Sequence, residues 1–127
     1  MKIVIDSSVI IDYIRAEKGI FSQLVGLARK DKAVLYVPSV VILEIWSGES
    51  MKDKSAEDLV KKLLSITKVH DLTRQLAESA GKLAREKLLD SFTDAAIAAT
   101  ALYLDAELAT ANKKHFAKVK GLRLFEG

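Results

Sequence analysis

Three carboxylates in this chain sit where a carboxylate is costly. Asp6 ends the apolar run Ile3-Val4-Ile5. Glu44 lies inside VVILEIW as the one charge between Ala33 and Trp46. Asp94 opens FTDAAIAATAL as the one charge between Ser91 and Leu104. Removing an unpaired carboxylate from water costs on the order of several kcal/mol, so each needs a partner or an opening to solvent. Two of them have structural alternatives. Asp6 suits the cap of a following helix, and Asp94 suits a first helical turn behind Ser91 in a Ser-x-x-Asp pattern. Glu44 falls mid-helix if a helix runs from Val40, sharing a side with Val40, Val41, Ser47 and Gly48, where no cap is needed. No Lys or Arg stands at a local spacing that would neutralise the three. A divalent metal would do so, and an all-oxygen donor set favours Mg²⁺ or Mn²⁺ over zinc.

The other polar candidates are less exclusive. Asn112 is the only asparagine and follows Thr110 at the end of a predicted strand. It suits a turn or helix cap as well as a site. His70, at a strand end, reads as structural. His115 reads as facing solvent or packing. Asp12 and Asp90 read as surface acids, with Asp90 the nearer to a site because it precedes Asp94 by one helical turn.

The elements that must position these residues alternate. Lys2–Asp6 reads as a buried strand, Ser8–Arg15 as a short helix and Phe21–Lys30 as an amphipathic helix. Val34–Val37 is the next strand, and Ser39 suits the N-cap of a helix through Trp46 that Gly48 stops. The polar stretch Gly48–Glu57 reads as a loop. Ser55, with Asp58 three residues on, suits the cap of a helix to Leu64. Ile66–His70 is a possible strand, and Asp71 or Thr73 caps a helix to about Leu88. A helix over Phe92–Leu104 and strands over Glu107–Thr110 and Leu122–Phe125, with a short helix between them, complete the pattern. Strands without polar alternation, separated by helices, predict a parallel sheet covered on both faces. In such sheets the site lies beyond the carboxyl ends of the strands, where Asp6 and Thr110 fall.

Composition sets the outer bounds. The 127 residues, half of them hydrophobic and 29% charged, suit one soluble domain spanning residues 1–127. Without cysteine there is no disulfide and no thiolate metal site. No apolar run approaches the ~20 residues that span a bilayer, and no signal-peptide pattern opens the chain, so a cytoplasmic location is expected. The net charge of +3 permits a polyanionic partner without demanding one. Lys113, Lys114, Lys118, Lys120 and Arg123 form a run with no acid among them, which suits a solvated surface or a phosphate-binding rim.

Four segments together, IVIDSSVII, PSVVILEI, FTDAAIAATAL and LATANKKHFAKVKGLRL, resemble the PIN-domain nucleases, most closely the small VapC-type ribonuclease toxins of toxin–antitoxin pairs. The resemblance covers essentially the whole chain. It implies a doubly wound α/β/α sandwich on a central parallel sheet, with Asp6, Glu44 and Asp94 binding Mg²⁺ or Mn²⁺. It gives Ser8 and Thr110 supporting roles, and Asn112 a catalytic place where many relatives carry a fourth acid. The implied reaction is hydrolysis of an RNA phosphodiester to a 5′-phosphate and a 3′-hydroxyl, with Lys113, Lys114 and Lys118 along the RNA backbone. It also implies a homodimer and a small antitoxin, which Ile10, Ile11, Ile14 and Trp46 could help to seat.

Two rival readings are weaker. A receiver or haloacid-dehalogenase-type phosphotransfer domain lacks its required acids here, since Ser8 stands where the latter needs a second Asp. A PIN fold that binds RNA or protein without cutting is kept open by Asn112, but the intact acidic triad argues against it.

Overall fold

The computed structural model describes residues 1–16 and 19–127. The most apolar strand lies in the middle. Strand β1 (Lys2–Ile5) buries Ile3, Val4 and Ile5 completely. Three consecutive buried side chains require cover on both faces of the sheet, and each such side chain contributes about 1.5–3 kcal/mol. Among the described residues the sheet has five strands in the order β3-β2-β1-β4-β5, every pair parallel. The others are β2 (Val34–Pro38), β3 (Lys68–His70), β4 (Glu107–Ala109) and β5 (Arg123–Leu124).

The connecting helices are α1 (Ser7–Ala16), α2 (Phe21–Arg29), α3 (Ser39–Trp46), α4 (Lys54–Ser65), α5 (Arg74–Arg85), α6 (Phe92–Leu104) and the single turn α7 (Lys113–Phe116). Helix α1 packs on α2 and α4, α5 packs along α6, and α3 touches both α1 and α6. The alanines of α6 explain the α5–α6 approach. Ala95, Ala96 and Ala99 meet Ala80 in a small cluster where larger side chains would hold the backbones apart. Helix α6 ends on Asp105, whose left-handed backbone (φ 52) closes the helix and turns the chain into β4. The result is the parallel sheet covered on both faces that the alternating pattern predicts, in the doubly wound α/β/α form that the resemblance implies. No helix among the described residues is long and apolar enough to cross a membrane.

Several local expectations shift. Ser39 is the first helical residue after Pro38, not the cap, and its hydroxyl accepts the Leu72 amide at 2.9 Å, tying the exit of β3 to the start of α3. Asp53, not Ser55, caps α4. Its Oδ1 accepts both the amide and the hydroxyl of Ser55 at 3.0 Å, while Asp58 pairs with Lys54 one turn back. Within the expected loop, Glu49–Lys52 forms a 3₁₀ turn, because Met51 is buried against the core. Thr73 rather than Asp71 caps α5, accepting the Leu76 amide at 3.2 Å. That helix stops at Arg85, short of Leu88, where Lys87 takes a positive φ of 59. Strands β3 and β5 are shorter than their apolar runs.

The strand order places the site. The chain runs from β1 outward through β2 to β3, then returns to the other side of β1 with β4. That reversal makes the β1–β4 boundary the topological switch point, where a crevice opens beyond the carboxyl ends.

Candidate functional site

Parallel register brings the first two polar groups together. Ile5 pairs with Ala109, so the next residues, Asp6 and Thr110, leave the sheet side by side. The Asp6 amide still donates to the Ala109 carbonyl at 3.0 Å, which fixes the direction of its side chain. Asp6 is 3% exposed, and hydroxyls rather than a cation receive its charge. Its Oδ2 accepts from Thr110 at 2.7 Å and from Ser8 at 2.8 Å. Each hydroxyl is held in turn by a backbone amide. The Ala111 N–H donates to Ser8 Oγ and the Asn112 N–H to Thr110 Oγ1, both at 3.0 Å. The carboxylate therefore sits in a network that spans the start of α1 and the exit of β4.

Glu44 reaches the same edge from α3. That helix begins directly after β2 with no intervening loop, so Glu44, its sixth residue, lies within two turns of the carboxyl end of that strand. Glu44 is exposed rather than buried, and its Oε1 accepts a hydrogen bond from the Ser7 hydroxyl. Ser7 itself is buried beside Asp6, its Oγ 3.5 Å from Asp6 Oδ1.

Asp94 completes the set. Ser91 caps α6 by accepting the Asp94 amide at 3.0 Å, as the Ser-x-x-Asp pattern predicts, and the side chain of Asp94 is 18% exposed. Burial is the main cause that pushes its carboxyl above the usual range, followed by the charge of Asp6. The ring of His115 pulls the other way, and Glu44 and Asp90 push it up further. That sensitivity places Asp6, Glu44 and Asp94 in one electrostatic neighbourhood. Among the described residues no Lys or Arg forms an ion pair with any of the three.

Two neighbours escape the sequence reading. Ser7 has no signal of its own, being masked by the adjacent Ser8. His115 is exposed, as one of its two expected readings has it, but its ring also stands beside two acids, with Nδ1 3.9 Å from Asp94 Oδ2 and Nε2 3.8 Å from Asp90 Oδ2. His70 behaves as expected, its ring set edge-on to Tyr103. Asp12 is exposed on α1. Asn112 takes the N-cap position of α7 without a side-chain cap bond, leaving its carboxamide exposed at the rim.

The basic run does not form one wall. Lys114 and Lys118 are exposed beyond β4, and Lys113 pairs with Glu126 at 2.8 Å. Arg123 opens β5, whose register sets it beside Glu107 at the amino end of the sheet, and it bonds Asp105 there at 3.1 Å. A groove of about 210 Å³ runs from Glu44 along Ile11, Ile14, Ile45 and Met51, with Arg15 and Glu49 at its sides. Ile10 is fully buried in the core and cannot line it.

A divalent cation suits this donor set in kind. The three acids supply hard oxygen ligands, and their mutual repulsion is left without a Lys or Arg. Among the described residues they do not close into a ready-made three-ligand cage. That suits Mg²⁺, which keeps several waters and takes one or two carboxylates, better than zinc, which requires a tighter nitrogen or sulfur set.

The fold and edge together define a doubly wound α/β domain with an acidic cleft at its switch point. The family model of the PIN domain matches residues 3–122, and the chain belongs to that family. Solved structures share the fold at low identity. VapBC2 from Rickettsia felis, in a crystal structure bound to a DNA fragment from its promoter, matches with a TM-score of 0.81 and 22% identity over 98% of both chains. DNA-bound VapBC from Salmonella typhimurium matches at 0.82 and 21%, over 98% of this chain and 97% of that one. Mycobacterium tuberculosis VapC20, described as a Sarcin-Ricin loop cleaving toxin, matches at 0.68 and 19%, over 95% and 98%. A search of curated proteins gives no match.

Proposed function

We propose that this protein is a Mg²⁺- or Mn²⁺-dependent endoribonuclease of the VapC type, acting in the cytoplasm as the toxin of a toxin–antitoxin pair. The observation that carries the reading is the convergence of Asp6, Glu44 and Asp94, from β1, α3 and α6, at the switch point of a PIN-domain sheet. The fold likeness to the VapBC structures and to VapC20 supports the toxin class.

In this reading Asp6, Glu44 and Asp94 hold the ion. Ser8 and Thr110 fix Asp6, and the exposed Asn112 amide orients a water or the phosphate. A divalent cation bound there polarises a phosphate and makes a water more acidic. Lys114 and Lys118 draw the RNA backbone toward the cleft, and Lys113 joins them by exchanging Glu126 for phosphate, an exchange made easy by the weakness of an exposed ion pair.

The test is cleavage of RNA by the wild type with Mg²⁺ or Mn²⁺, with EDTA, and by Asp6→Asn. Cleavage confined to the metal-loaded wild type is expected. Equal cleavage in all three overturns the metal mechanism, and metal uptake with no cleavage favours a binding module, the alternative that Asn112 keeps open.

Two protein partners belong to the same reading. The groove beside Glu44 suits an apolar helix or strand of an antitoxin with a basic side chain directed at the acids. A second copy of the chain is the partner for the face formed by α3, α5 and α6, where Leu43 and Phe92 are 71% and 85% exposed. Sedimentation of the purified chain as a monomer at micromolar concentration would remove the dimer from the proposal.

A further inference from the structure

Asp6 presents two unlike oxygens. Oδ2 accepts from both Thr110 and Ser8 at 2.7 and 2.8 Å. Oδ1 has the Ser7 hydroxyl at 3.5 Å, outside good hydrogen-bond range. A serine hydroxyl has one proton to give. Here it goes to Glu44 Oε1, a residue thirty-seven positions away in the chain. Ser7 is buried in the first turn of α1, with few rotamers open to it, whereas Glu44 is an exposed side chain with three rotatable bonds. Ordering such a side chain carries an entropic cost of about 1–2 kcal/mol, which a fixed donor offsets before any ion arrives.

We propose that Ser7 is a positioning residue that holds the Glu44 carboxylate beside Asp6 Oδ1, so that the two acids present oxygens to one divalent cation. The inference rests on the metal reading above and deepens it. It divides the three hydroxyls at this edge between two tasks. Ser8 and Thr110 immobilise Asp6 through Oδ2. Ser7 leaves Asp6 alone and selects the conformation of Glu44. Without Ser7, Glu44 samples open water and must be ordered by the ion itself, which lowers affinity. Loss of an outer-shell partner of this kind costs about 10–100-fold in metal binding.

The test is a titration with Mn²⁺ alone, free ion being followed by electron paramagnetic resonance, on the full chain as wild type, Ser7→Ala, Ser7→Cys, Ser7→Thr, Glu44→Ala and the Ser7→Ala/Glu44→Ala double variant, with melting temperatures taken in parallel. Ser7→Ala and the near-isosteric Ser7→Cys are expected to weaken Mn²⁺ binding about tenfold or more. Ser7→Thr, which keeps the hydroxyl, restores it, and adding Ser7→Ala to Glu44→Ala costs nothing further. Wild-type affinity in a folded Ser7→Ala or Ser7→Cys chain overturns the proposal. So does an equal loss with and without Glu44, which would mark a merely structural serine. A wild type that takes up no Mn²⁺ overturns the metal reading itself, and the role of Ser7 with it.

Discussion

Asp6 and Asp94 stand at one edge of the sheet, yet they are stabilised in opposite ways. At the β1 end, Asp6 is nearly inaccessible and receives two hydroxyl donors on a single oxygen, each hydroxyl fixed by an amide of the segment after β4. At the start of α6, Asp94 has its backbone capped by Ser91, while its carboxyl is driven upward by burial and by Asp6, Glu44 and Asp90, with His115 alone opposing. The first corner spends its hydrogen bonds on geometry. The second leaves repulsion unrelieved, which stores an affinity for positive charge. The proposed cation site needs both, since rigidity without repulsion gives a satisfied cap, and repulsion without rigidity gives a surface acid.

The largest expected break in this contrast is Asp6→Asn. It retains a hydrogen-bond acceptor but removes the charge, so Mn²⁺ uptake and RNA cleavage should fall to background while the fold persists by circular dichroism. Next comes Thr110→Val, which takes a buried donor from a carboxylate. It should cost about 1.5–3 kcal/mol in urea unfolding. Ser8→Ala should cost less, because Ser8 is only half-buried and Thr110 remains.

Asp94→Asn should act in the other direction on the cation-free protein. The folded-state carboxyl lies above its unfolded value of 3.8, so the folded protein binds the proton more readily. Stability should therefore rise as pH falls from neutral through the raised value, and level off below the unfolded one. Asp94→Asn removes the repulsion at neutral pH, raises the melting temperature by about 2–4 °C and flattens that profile. If the proposed metal site holds, it should also abolish the stabilisation expected of Mn²⁺ on the wild type, ~2.7 kcal/mol at a hundredfold excess over the dissociation constant. The smallest effect belongs to His115→Ala. Removing the ring lifts the Asp94 carboxyl further, and the low-pH gain in stability should begin at a higher pH, seen by NMR titration of that carboxyl. An unchanged titration would show that the two corners do not differ through His115.

What the sequence discloses about this edge depends on how local the cause is. Asp6, Glu44 and Asp94 stand out because each breaks an apolar run, and the Ser91 cap is visible because it works over three residues. The parallel sheet follows from unalternated strands such as Ile3-Val4-Ile5. Ser7 escapes because its partner, Glu44, is supplied by another helix, and nothing in the spacing of two adjacent serines tells which one faces which acid. His115 looks like one more basic residue until α7 folds back on the start of α6. The basic run misleads for a related reason. Consecutive charges look like one patch, but β5 carries Arg123 to the amino end of the sheet while Lys114 and Lys118 are exposed in the segment that follows β4. The caps at Asp53 and Thr73 are ambiguous in the sequence because several polar residues compete within one turn, and only the folded chain shows which of them accepts the helix amide.

The hydroxyl of Thr110 that secures Asp6 comes from 104 positions later in the chain. Strand β1 is made first but gains its second neighbour only when β4 is present. During synthesis the amino-terminal residues can pair with β2, yet the switch-point crevice has only one wall until the residues around 107–112 emerge. A ribosome-bound fragment ending anywhere before them carries Asp6 and Glu44 without the β4 wall. The topology thus delays the assembled cleft until β4 and Thr110 have been made, so the order of synthesis and the order of assembly of the site are linked.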